Sequence, residues 1–328
     1  MAVYTTLSAA ELAELVAEYD VGELVSAKGI AEGVSNSNWL VETSTGRFIL
    51  TMYEARVELA DLPFFLGLLD HLAARGCPVP RTIHDREGAA FRTVRGKAVA
   101  LIEFLPGVSV DEPSPAQARA VGEALASIHL AAADFSGRRA NGLALQQWHD
   151  LLSRCGQDGL QAIDPSLPAL VERELLYLTA HWPQGLPRSV IHADLFPDNV
   201  LLLGNAVTGL IDFYFACNDI TAYDLAVTHA AWSFSKDGGF RPAIADALIE
   251  GYVGRRPLSD AERQALPVLA RGAAMRFLAT RAYDWLNTPA DALVTRKDPM
   301  EFARRLEFYS REGERAFPGP GACARAGG

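Results

Sequence analysis

Residues 190–202, VIHADLFPDNVLL, place one histidine, two aspartates and one asparagine between aliphatic residues. Short aliphatic runs predict buried strands, so the polar residues between them are expected to form a connecting turn. Asp and Asn are common in turns, and an ordinary strand connection could contain both. A catalytic loop held between two strands is the alternative, and it requires partners elsewhere in the chain.

A further aspartate, Asp212, follows in the stretch GLIDFYFA, after a hairpin turn expected at Gly204 and Asn205. Phosphoryl transfer in kinase-type folds uses one aspartate that orients the attacking hydroxyl, then an asparagine and a second aspartate that hold the metal ion. Asp194, Asn199 and Asp212 occur in that order. Magnesium prefers oxygen ligands and keeps several waters, so one amide and one carboxylate can hold it against nucleotide phosphates. The order predicts a phosphotransfer site in which Asp194 accepts the proton of the hydroxyl.

Size and charge narrow the classes of partner. The chain has 328 residues and a formal net charge of −10, enough material for one large or two unequal domains. Nucleic acids select for clustered Lys and Arg, and because the sequence has no such cluster, no nucleic-acid partner is expected. No apolar run has the length needed to span a membrane, so no membrane partner is expected either.

The N-terminus and the cysteines predict a location. Residues 1–20 lack the basic and apolar regions of a signal peptide, and Ser8 and Glu11 have the spacing of a capping box at the start of a surface helix. The four cysteines form no C-x-x-C pair, so neither a zinc site nor a disulfide framework is predicted. A reducing cytoplasm is the expected location.

The first hundred residues predict a small antiparallel sheet crossed by a helix. Residues 24–54 alternate apolar and polar positions around glycines, which predicts a hairpin and a third strand. Residues 61–80 have helical spacing and stop near Gly76, and residues 91–107 predict two more short strands.

The pattern becomes helical beyond the Pro- and Gly-rich stretch at 105–117. Five helices are predicted, at 116–133, 166–182, 220–234, 241–253 and 259–286. The last has a capping box from Ser259 to Glu262, and Pro267 is expected to kink or interrupt it.

These elements predict an α+β, bilobal fold. Residues 1–104 form a small antiparallel-sheet lobe, residues 105–316 form a larger, mainly helical lobe, and residues 317–328 form a disordered tail. Clefts between such lobes are favoured ligand sites.

VIHADLFPDNVLL, together with GLIDFYFACNDITAYDLAV, resembles the aminoglycoside phosphotransferase-like branch of the protein-kinase-like fold, a family of small-molecule kinases. The lobe order also fits, so the resemblance extends to about residue 316. It implies that ATP is the co-substrate and Mg²⁺ the cofactor. By match to the motif, Asp194 would be the catalytic base, Asn199 and Asp212 the magnesium ligands, and His192 a structural support for the loop.

The resemblance also implies where the nucleotide binds. Residues 29–39, GIAEGVSNSNW, would cover the phosphates, with a tight turn at Gly33 and donors at Ser35, Asn36 and Ser37. Taken alone, the same stretch could be a plain hairpin turn.

Two further positions match the family. LIEFLPG lies where the fold joins its lobes and would present backbone groups of Glu103 and Leu105 to adenine, although by itself it is only a buried strand. Asp224 matches a family aspartate at a helix start, where it is expected to support the structure by capping the helix.

One position departs from the general pattern. The strand after the Gly-rich loop normally ends in a lysine that contacts phosphates, whereas RFILTMYE has Thr51 there. Threonine cannot neutralise a phosphate. Either the protein is a pseudokinase or another cation compensates, and Lys28, Arg47 and Arg56 are nearest in sequence.

The homoserine kinase branch of this family typically carries threonine in the same ILT stretch and is active. Four stretches of the chain, at 29–54, 61–76, 209–224 and 271–286, are similar to that branch. The resemblance implies ATP-dependent phosphorylation of the hydroxyl of L-homoserine, a step of threonine biosynthesis. Choline, methylthioribose or an aminoglycoside are alternative acceptors, and Trp232, Tyr283 and Trp285 could supply the aromatic cage that choline needs.

Homoserine is a zwitterion, so its pocket needs a partner for the carboxylate, and a guanidinium is well suited to that role. The helix at 259–286 carries Arg271, Arg276 and Arg281 among apolar residues. We expect Arg276 or Arg281 to bind the carboxylate. The alternative is that these arginines tie helices together through acidic partners such as Asp284.

Overall fold

The structure, a computed structural model, describes residues 5, 7–30, 36–54, 58–288 and 296–317. The helices are α1 (Ala9–Val16), α2 (Leu62–Ala74), α3 (Pro115–Ala131), α4 (Leu145–Ile163), α5 (Leu167–His181), α6 (Thr221–Trp232), α7 (Pro242–Arg255), α8 (Asp260–Asn287) and α9 (Pro299–Ala316). The strands are β1 (Leu24–Ile30), β2 (Asn36–Thr43), β3 (Arg47–Tyr53), β4 (Thr82–Ile83), β5 (Arg92–Val94), β6 (Lys97–Glu103), β7 (Arg188–Ile191), β8 (Val200–Leu203), β9 (Ala206–Leu210) and β10 (Cys217–Ile220).

The predicted N-terminal sheet is confirmed. Its strands follow the order β1-β2-β3-β6-β4, β5 pairs with β6, and every pair is antiparallel. The predicted capping box starts α1, where the Ser8 hydroxyl accepts the Glu11 N–H and the Glu11 carboxylate accepts the Ser8 N–H. Strand residues alternate between two faces. One face packs with α1, and the other packs with α2 and the helical lobe.

The sheet ends at Glu103, and the first long helix of the second lobe begins at Pro115. The exact lobe boundaries at 104 and 316 remain predictions. Of the predicted tail, only Phe317 lies within the described residues, where its ring packs 4.3 Å from that of His229.

All five predicted helices of the second lobe form, and two more were not predicted. The first, α4, contains Gly156 at φ 66°, a non-helical conformation that kinks the helix. The second, α9, is highly charged. An interruption of α8 at Pro267 is wrong, because the helix continues from Asp260 to Asn287, and the alternative, a kink at Pro267, stays a prediction. Gly313 of α9 lies next to Pro267, where a Cβ atom would lie 3.2 Å from the Cβ of the proline.

The helical core sets the positions of α3 and α7 through close backbone contact. A Cβ atom on Gly122 would lie 2.1 Å from the carbonyl oxygen of Leu248, and one on Gly251 would lie 2.1 Å from that of Arg119. Only glycine fits at either position. This contact fixes α3, which carries His129 toward the catalytic loop.

Two small sheets flank the motif at residues 190–202. Strand β7 pairs with β10, and β8 pairs with β9 across the predicted turn at Gly204. Strand β10 was not predicted. We use "catalytic loop" below for residues 192–199, which join β7 to β8.

Candidate active site

A buried carboxylate accepts hydrogen bonds from the backbone of the catalytic loop. Asp224, fully buried on α6, accepts the backbone N–H of His192 at 2.7 Å and that of Ala193 at 2.7 Å. Ala193 has φ 65°, a left-handed conformation that is uncommon for a residue with a side chain. The two hydrogen bonds stabilise this turn and bring Asp194 to the loop surface.

Asp224 itself is fixed by the helical lobe. His129 Nε2 donates to its carboxylate at 2.9 Å, and the Tyr252 hydroxyl lies 2.8 Å from His129 Nδ1. Burial alone would raise the pKa of Asp224, but the hydrogen bond and charge of His129, with the loop donors, hold that pKa below its ordinary value. The expected helix-capping role is wrong, because the Asp224 carboxylate accepts donors from the catalytic loop and α3, and Ile220 is the cap residue.

His192 connects the two motifs. The Asp194 N–H donates to its Nδ1 at 3.2 Å, and its Nε2 donates to the Ile211 carbonyl at 3.0 Å. Burial lowers the pKa of His192, so the ring is neutral, with its proton assigned to Nε2 by these partners. The imidazole thereby ties the catalytic loop to the residue just before Asp212.

Asn199 and Asp212 lie on adjacent strand ends. Asn199 Nδ2 donates to the Asp194 carbonyl at 2.8 Å, and the Ile211 N–H donates to the Asn199 carbonyl at 3.0 Å. The amide nitrogen of Asn199 is therefore engaged, which leaves its Oδ1 as a candidate ligand. Asp212 has φ 63° and an exposed side chain, so its carboxylate points out of the turn.

The electrostatics of Asp212 favour a cation. Although part of the Asp212 side chain reaches solvent, neighbouring protein atoms remove much of the hydration of its carboxylate. This desolvation, followed by the charge of Asp194, raises its pKa to about 7. A divalent metal would relieve this repulsion. Among the described residues, no group of three or more His, Cys, Asp or Glu side chains could hold a metal ion. Two protein ligands completed by nucleotide phosphates fit the chemistry of Mg²⁺.

Arg276, a residue of α8, is buried against the catalytic loop. Its side chain is only 3% exposed, its Nη1 donates to the Ala193 carbonyl, and its Nη2 lies 3.6 Å from Asp194 Oδ1. Burial raises the pKa of Asp194, and the Arg276 charge opposes that rise. The guanidinium also contacts the rings of Phe215 and Phe277. These contacts favour a loop-positioning role over the expected binding of the acceptor carboxylate.

Arg271 and Arg281, the other two candidate arginines of α8, tie helices together. Arg281 Nη1 donates to Glu301 at 2.5 Å and to the Asp298 carbonyl at 3.2 Å, so it joins α8 to α9. Arg271 donates to Glu174 of α5 at 2.9 and 2.6 Å. The helix-tying alternative therefore fits both residues, and Arg281 is not favoured as the acceptor partner.

The Thr51 side chain is buried and hydrogen-bonded within the sheet. Its hydroxyl donates to Asn38 Oδ1 at 2.8 Å, and the residue is 4% exposed. The hydroxyls of Tyr53 and Tyr214 meet at 3.2 Å on the same side of the sheet. This side is the sheet face that looks toward the helical lobe.

Of the three candidate cations for the missing lysine, two lie within the described residues. Register places Lys28 opposite Leu40, on the same face as Thr51. Arg47 lies 3.7 Å from Glu42 and is exposed. Arg56 lies outside the described residues. Arg47 precedes Thr51 by four positions on β3, so it lies on that face as well. Lys28 and Arg47 therefore both remain candidates, and Arg47 already pairs with Glu42.

The predicted phosphate-covering segment is only partly described, since Gly33 and Ser35 lie outside the described residues. Asn36 Oδ1 accepts the Glu54 N–H at 3.4 Å. Ser37 pairs with Met52, so its side chain is on the face away from Thr51, where it donates to Glu54 Oε1 at 2.7 Å. A contact of the Ser37 hydroxyl with ATP is therefore disfavoured by strand alternation, and only its backbone stays a candidate.

The backbone of the strand that joins the lobes is partly hydrogen-bonded, which limits the groups that could contact adenine. The Glu103 N–H donates to the Arg81 carbonyl at 2.9 Å, so only its carbonyl could contact adenine. Leu105 packs over β9, where a Cβ on Gly209 would lie 2.8 Å from Leu105 Cδ1. Glycine at 209 thus leaves room for the Leu105 side chain next to the cleft.

Comparisons with known proteins show the family of the chain. Residues 26–258 match the model of the phosphotransferase enzyme family. This chain belongs to the phosphotransferase enzyme family. It is 52% identical to a homoserine kinase of Azorhizobium caulinodans, over 94% of this chain and 96% of the relative. It is 53% identical to a homoserine kinase of Caulobacter sp. strain K31, over 98% of this chain and 100% of that relative.

Two solved structures of kinases share the fold. An amicoumacin kinase in complex with AMP-PNP and Ca²⁺ superposes with a TM-score of 0.69 at 14% identity, covering 95% of each chain. A microcompartment-associated aminopropanol kinase superposes with a TM-score of 0.70 at 20% identity, covering 94% of this chain and 98% of that one. The predicted protein-kinase-like α+β fold is confirmed. Within the described residues, no helix is long and apolar enough to cross a membrane.

Proposed function

We propose that this phosphotransferase is a homoserine kinase, which transfers the γ-phosphoryl group of ATP to the hydroxyl of L-homoserine and so serves threonine biosynthesis. The observation that carries the proposal is the identity of 52–53% to proteins named homoserine kinase along nearly the whole chain. The arrangement of Asp194, Asn199 and Asp212 supports the phosphotransfer chemistry independently of that likeness.

In this proposal Asp194 orients the acceptor hydroxyl and accepts its proton as the oxygen attacks the γ-phosphorus. The bond from that phosphorus to the bridging oxygen of ADP breaks as the new bond forms. Asn199 Oδ1 and the Asp212 carboxylate would hold Mg²⁺, which supplies positive charge to the nucleotide phosphates. His192 and Asp224 position the loop through the contacts described above.

We assign the nucleotide to the cleft between the sheet and the helical lobe. The contacts we propose are the backbone of the segment that covers the phosphates and the backbone of the strand that joins the lobes. These residues are Gly33, Ser35, Asn36, Ser37, Glu103 and Leu105.

The choline alternative is disfavoured by the structure. Trp232 is 1% exposed, and its indole N–H donates to the Leu195 carbonyl at 2.9 Å, so it supports the catalytic loop from inside. The ring of Trp285 is covered by Arg296, whose guanidinium carbon lies 5.1 Å from the ring centre. An aromatic cage needs open ring faces. Trp232 offers none, that of Trp285 is shared with a cation, and Tyr283 packs against the hydrophobic core.

A coupled ADP-release assay with purified protein tests the proposal. Homoserine, choline, methylthioribose and an aminoglycoside would be compared as acceptors with Mg²⁺ present. We expect homoserine to give by far the highest kcat/KM. The variant Asp194→Ala should lose turnover but keep nucleotide binding and thermal stability, because the side chain acts on the acceptor. A clear preference for another acceptor would refute the proposed substrate.

A further inference from the structure

The acceptor carboxylate needs a cation, and the contacts of Arg276 and Arg281 disfavour both as that cation. Arg276 is buried against the catalytic loop, and Arg281 is bound to α9. The loop itself places Leu195, Phe196, Pro197 and Asp198 between its two key polar residues and contains no cation. A cation at the acceptor side of the loop must therefore come from another element.

Lys297 is such a cation. Its side chain is 61% exposed, its Nζ lies 3.9 Å from Asp198 Oδ2, and it lies 5.6 Å from the ring centre of Phe196. Asp198 and Phe196 follow Asp194 by four and two positions. Lys297 is thus an accessible ammonium group on the catalytic loop, contributed by the segment that leads into α9.

The backbone next to Lys297 is well anchored. Asp298 caps α9, since its Oδ1 accepts the Met300 N–H at 2.8 Å, and its carbonyl accepts Arg281 Nη1 at 3.2 Å. The helix-tying role of Arg281 therefore also fixes the start of α9. Only the flexible lysine side chain has to adjust when a ligand binds.

The pair of Lys297 and Asp198 is poorly suited to a stabilising role. Both side chains are exposed, 61% and 66%, and 3.9 Å is too long for a hydrogen bond. Exposed ion pairs of this kind contribute little to stability. Both charges nevertheless influence the carboxyls of the site, because Lys297 lowers the pKa of Asp194 and Asp198 raises it.

A loose pair of opposite charges matches the two opposite charges that an α-amino acid carries on one carbon. A carboxylate can pair with the lysine and an ammonium with the aspartate, and each gains a charge-assisted hydrogen bond that the protein pair lacks. The side-chain hydroxyl of such an amino acid then extends along the loop toward Asp194. Ring and methylene contacts with Phe196 would cover the acceptor carbon chain.

We propose that Lys297 and Asp198 form the recognition site for the zwitterionic end of the acceptor, with Lys297 binding the α-carboxylate and Asp198 the α-ammonium. This inference rests on the proposed function, since it takes an amino acid with a side-chain hydroxyl as the substrate class. It makes the pair, rather than an arginine of α8, the determinant of acceptor specificity.

The test crosses two variants with three acceptors. Lys297→Met and Asp198→Asn would be assayed with L-homoserine, with 3-aminopropanol, which lacks the carboxylate, and with 4-hydroxybutanoate, which lacks the ammonium. For an analogue that is not turned over, its competitive inhibition constant against homoserine is measured instead. The matched control is Lys236→Met, which breaks an exposed ion pair with Asp111 at 2.9 Å outside the site.

We expect Lys297→Met to lower kcat/KM about tenfold or more for homoserine and to weaken 4-hydroxybutanoate similarly, while 3-aminopropanol is unaffected. Asp198→Asn should affect homoserine and 3-aminopropanol but not 4-hydroxybutanoate. The KM for ATP should stay within about twofold in both variants, and Lys236→Met should match the wild type.

Equal losses with all three acceptors would overturn the inference and would indicate that Lys297 acts on the transferred phosphoryl group. Unchanged kinetics with homoserine would overturn it as well. Neither result touches the proposed function, which fails separately if the wild-type protein does not phosphorylate homoserine.

Discussion

Replacing Arg276 with methionine tests how the catalytic base is kept ionised. Methionine fills much of the same volume but removes the charge 3.6 Å from Asp194 Oδ1 and the donor to the Ala193 carbonyl. At 3.6 Å the attraction of two unit charges is about 1 kcal/mol at the dielectric constant of water and about 5 kcal/mol at an effective value of 20. Asp194 is 19% exposed, so a value of about 1–3 kcal/mol is appropriate.

That energy sets the largest fall in kcat, about 5- to 150-fold, which is reached at pH values where Asp194 is mostly protonated. Removing the cation raises the pKa of Asp194, and the base works only when ionised. The acid limb of the kcat profile should therefore move to higher pH, and the deficit should shrink as pH rises. The KM values for ATP and homoserine should change little, because the buried guanidinium does not contact either substrate in our assignment.

The assay is the pH dependence of kcat and KM for wild type, Arg276→Met, Arg276→Lys and Arg281→Met. The lysine variant keeps the charge and should recover part of the rate. Arg281→Met removes a comparably buried arginine of the same helix, so it should lower thermal stability without moving the pH profile. A sharp rise in the KM for homoserine with an unchanged kcat profile in Arg276→Met would refute the reasoning and place the acceptor carboxylate on Arg276.

Three further predictions follow from particular contacts. Asp212 has a pKa of about 7 without metal, so affinity for the metal–nucleotide complex should be about tenfold weaker near pH 6 than near pH 8. Calorimetric titration measures this affinity. A similar pH dependence of the affinity in Asp212→Asn would contradict the assignment. Thr51→Lys should not raise kcat and should lower the melting temperature, because it buries an ammonium group where a hydroxyl already bonds Asn38. A tenfold gain in kcat, worth about 1.4 kcal/mol, would reveal an unfilled phosphate contact. Gly122→Ala should lower the free energy of unfolding by about 1–3 kcal/mol, since its Cβ would lie 2.1 Å from the Leu248 carbonyl oxygen. Denaturant titration measures this change. The control variant Gly254→Ala, with no atom within 4 Å of its Cβ, should not be destabilised.

The order of elements was predictable because it depends on local patterns. Strand alternation identified the N-terminal hairpin, and capping residues marked the starts of α1 and α8. The two missed helices show the limit of such patterns. Both helices have apolar residues at helical spacing, namely Trp148, Leu152 and Cys155 on α4 and Phe302, Leu306 and Tyr309 on α9. Polar and charged residues fill the positions between them, so neither segment is apolar overall, and each helix is stabilised by packing its narrow apolar stripe against its neighbours.

The roles of long polar side chains were less predictable. Three arginines on α8 are chemically identical in the sequence, yet one reaches the catalytic loop, one reaches α5 and one reaches α9. The nature of Asp224 was also missed, because its donors come from His192 and from His129, which is 95 positions away. No local spacing encodes such a pair.

By itself the sequence determined the candidate catalytic set, because Asp194, Asn199 and Asp212 lie within nineteen residues and one hairpin brings them together. Tertiary structure alone decided which cations serve that set. Arg276 approaches Asp194 across 82 positions of sequence and Lys297 approaches Asp198 across 99. Short-range backbone geometry limits the hairpin to few arrangements, whereas the partner of a long charged side chain depends on how the helices pack.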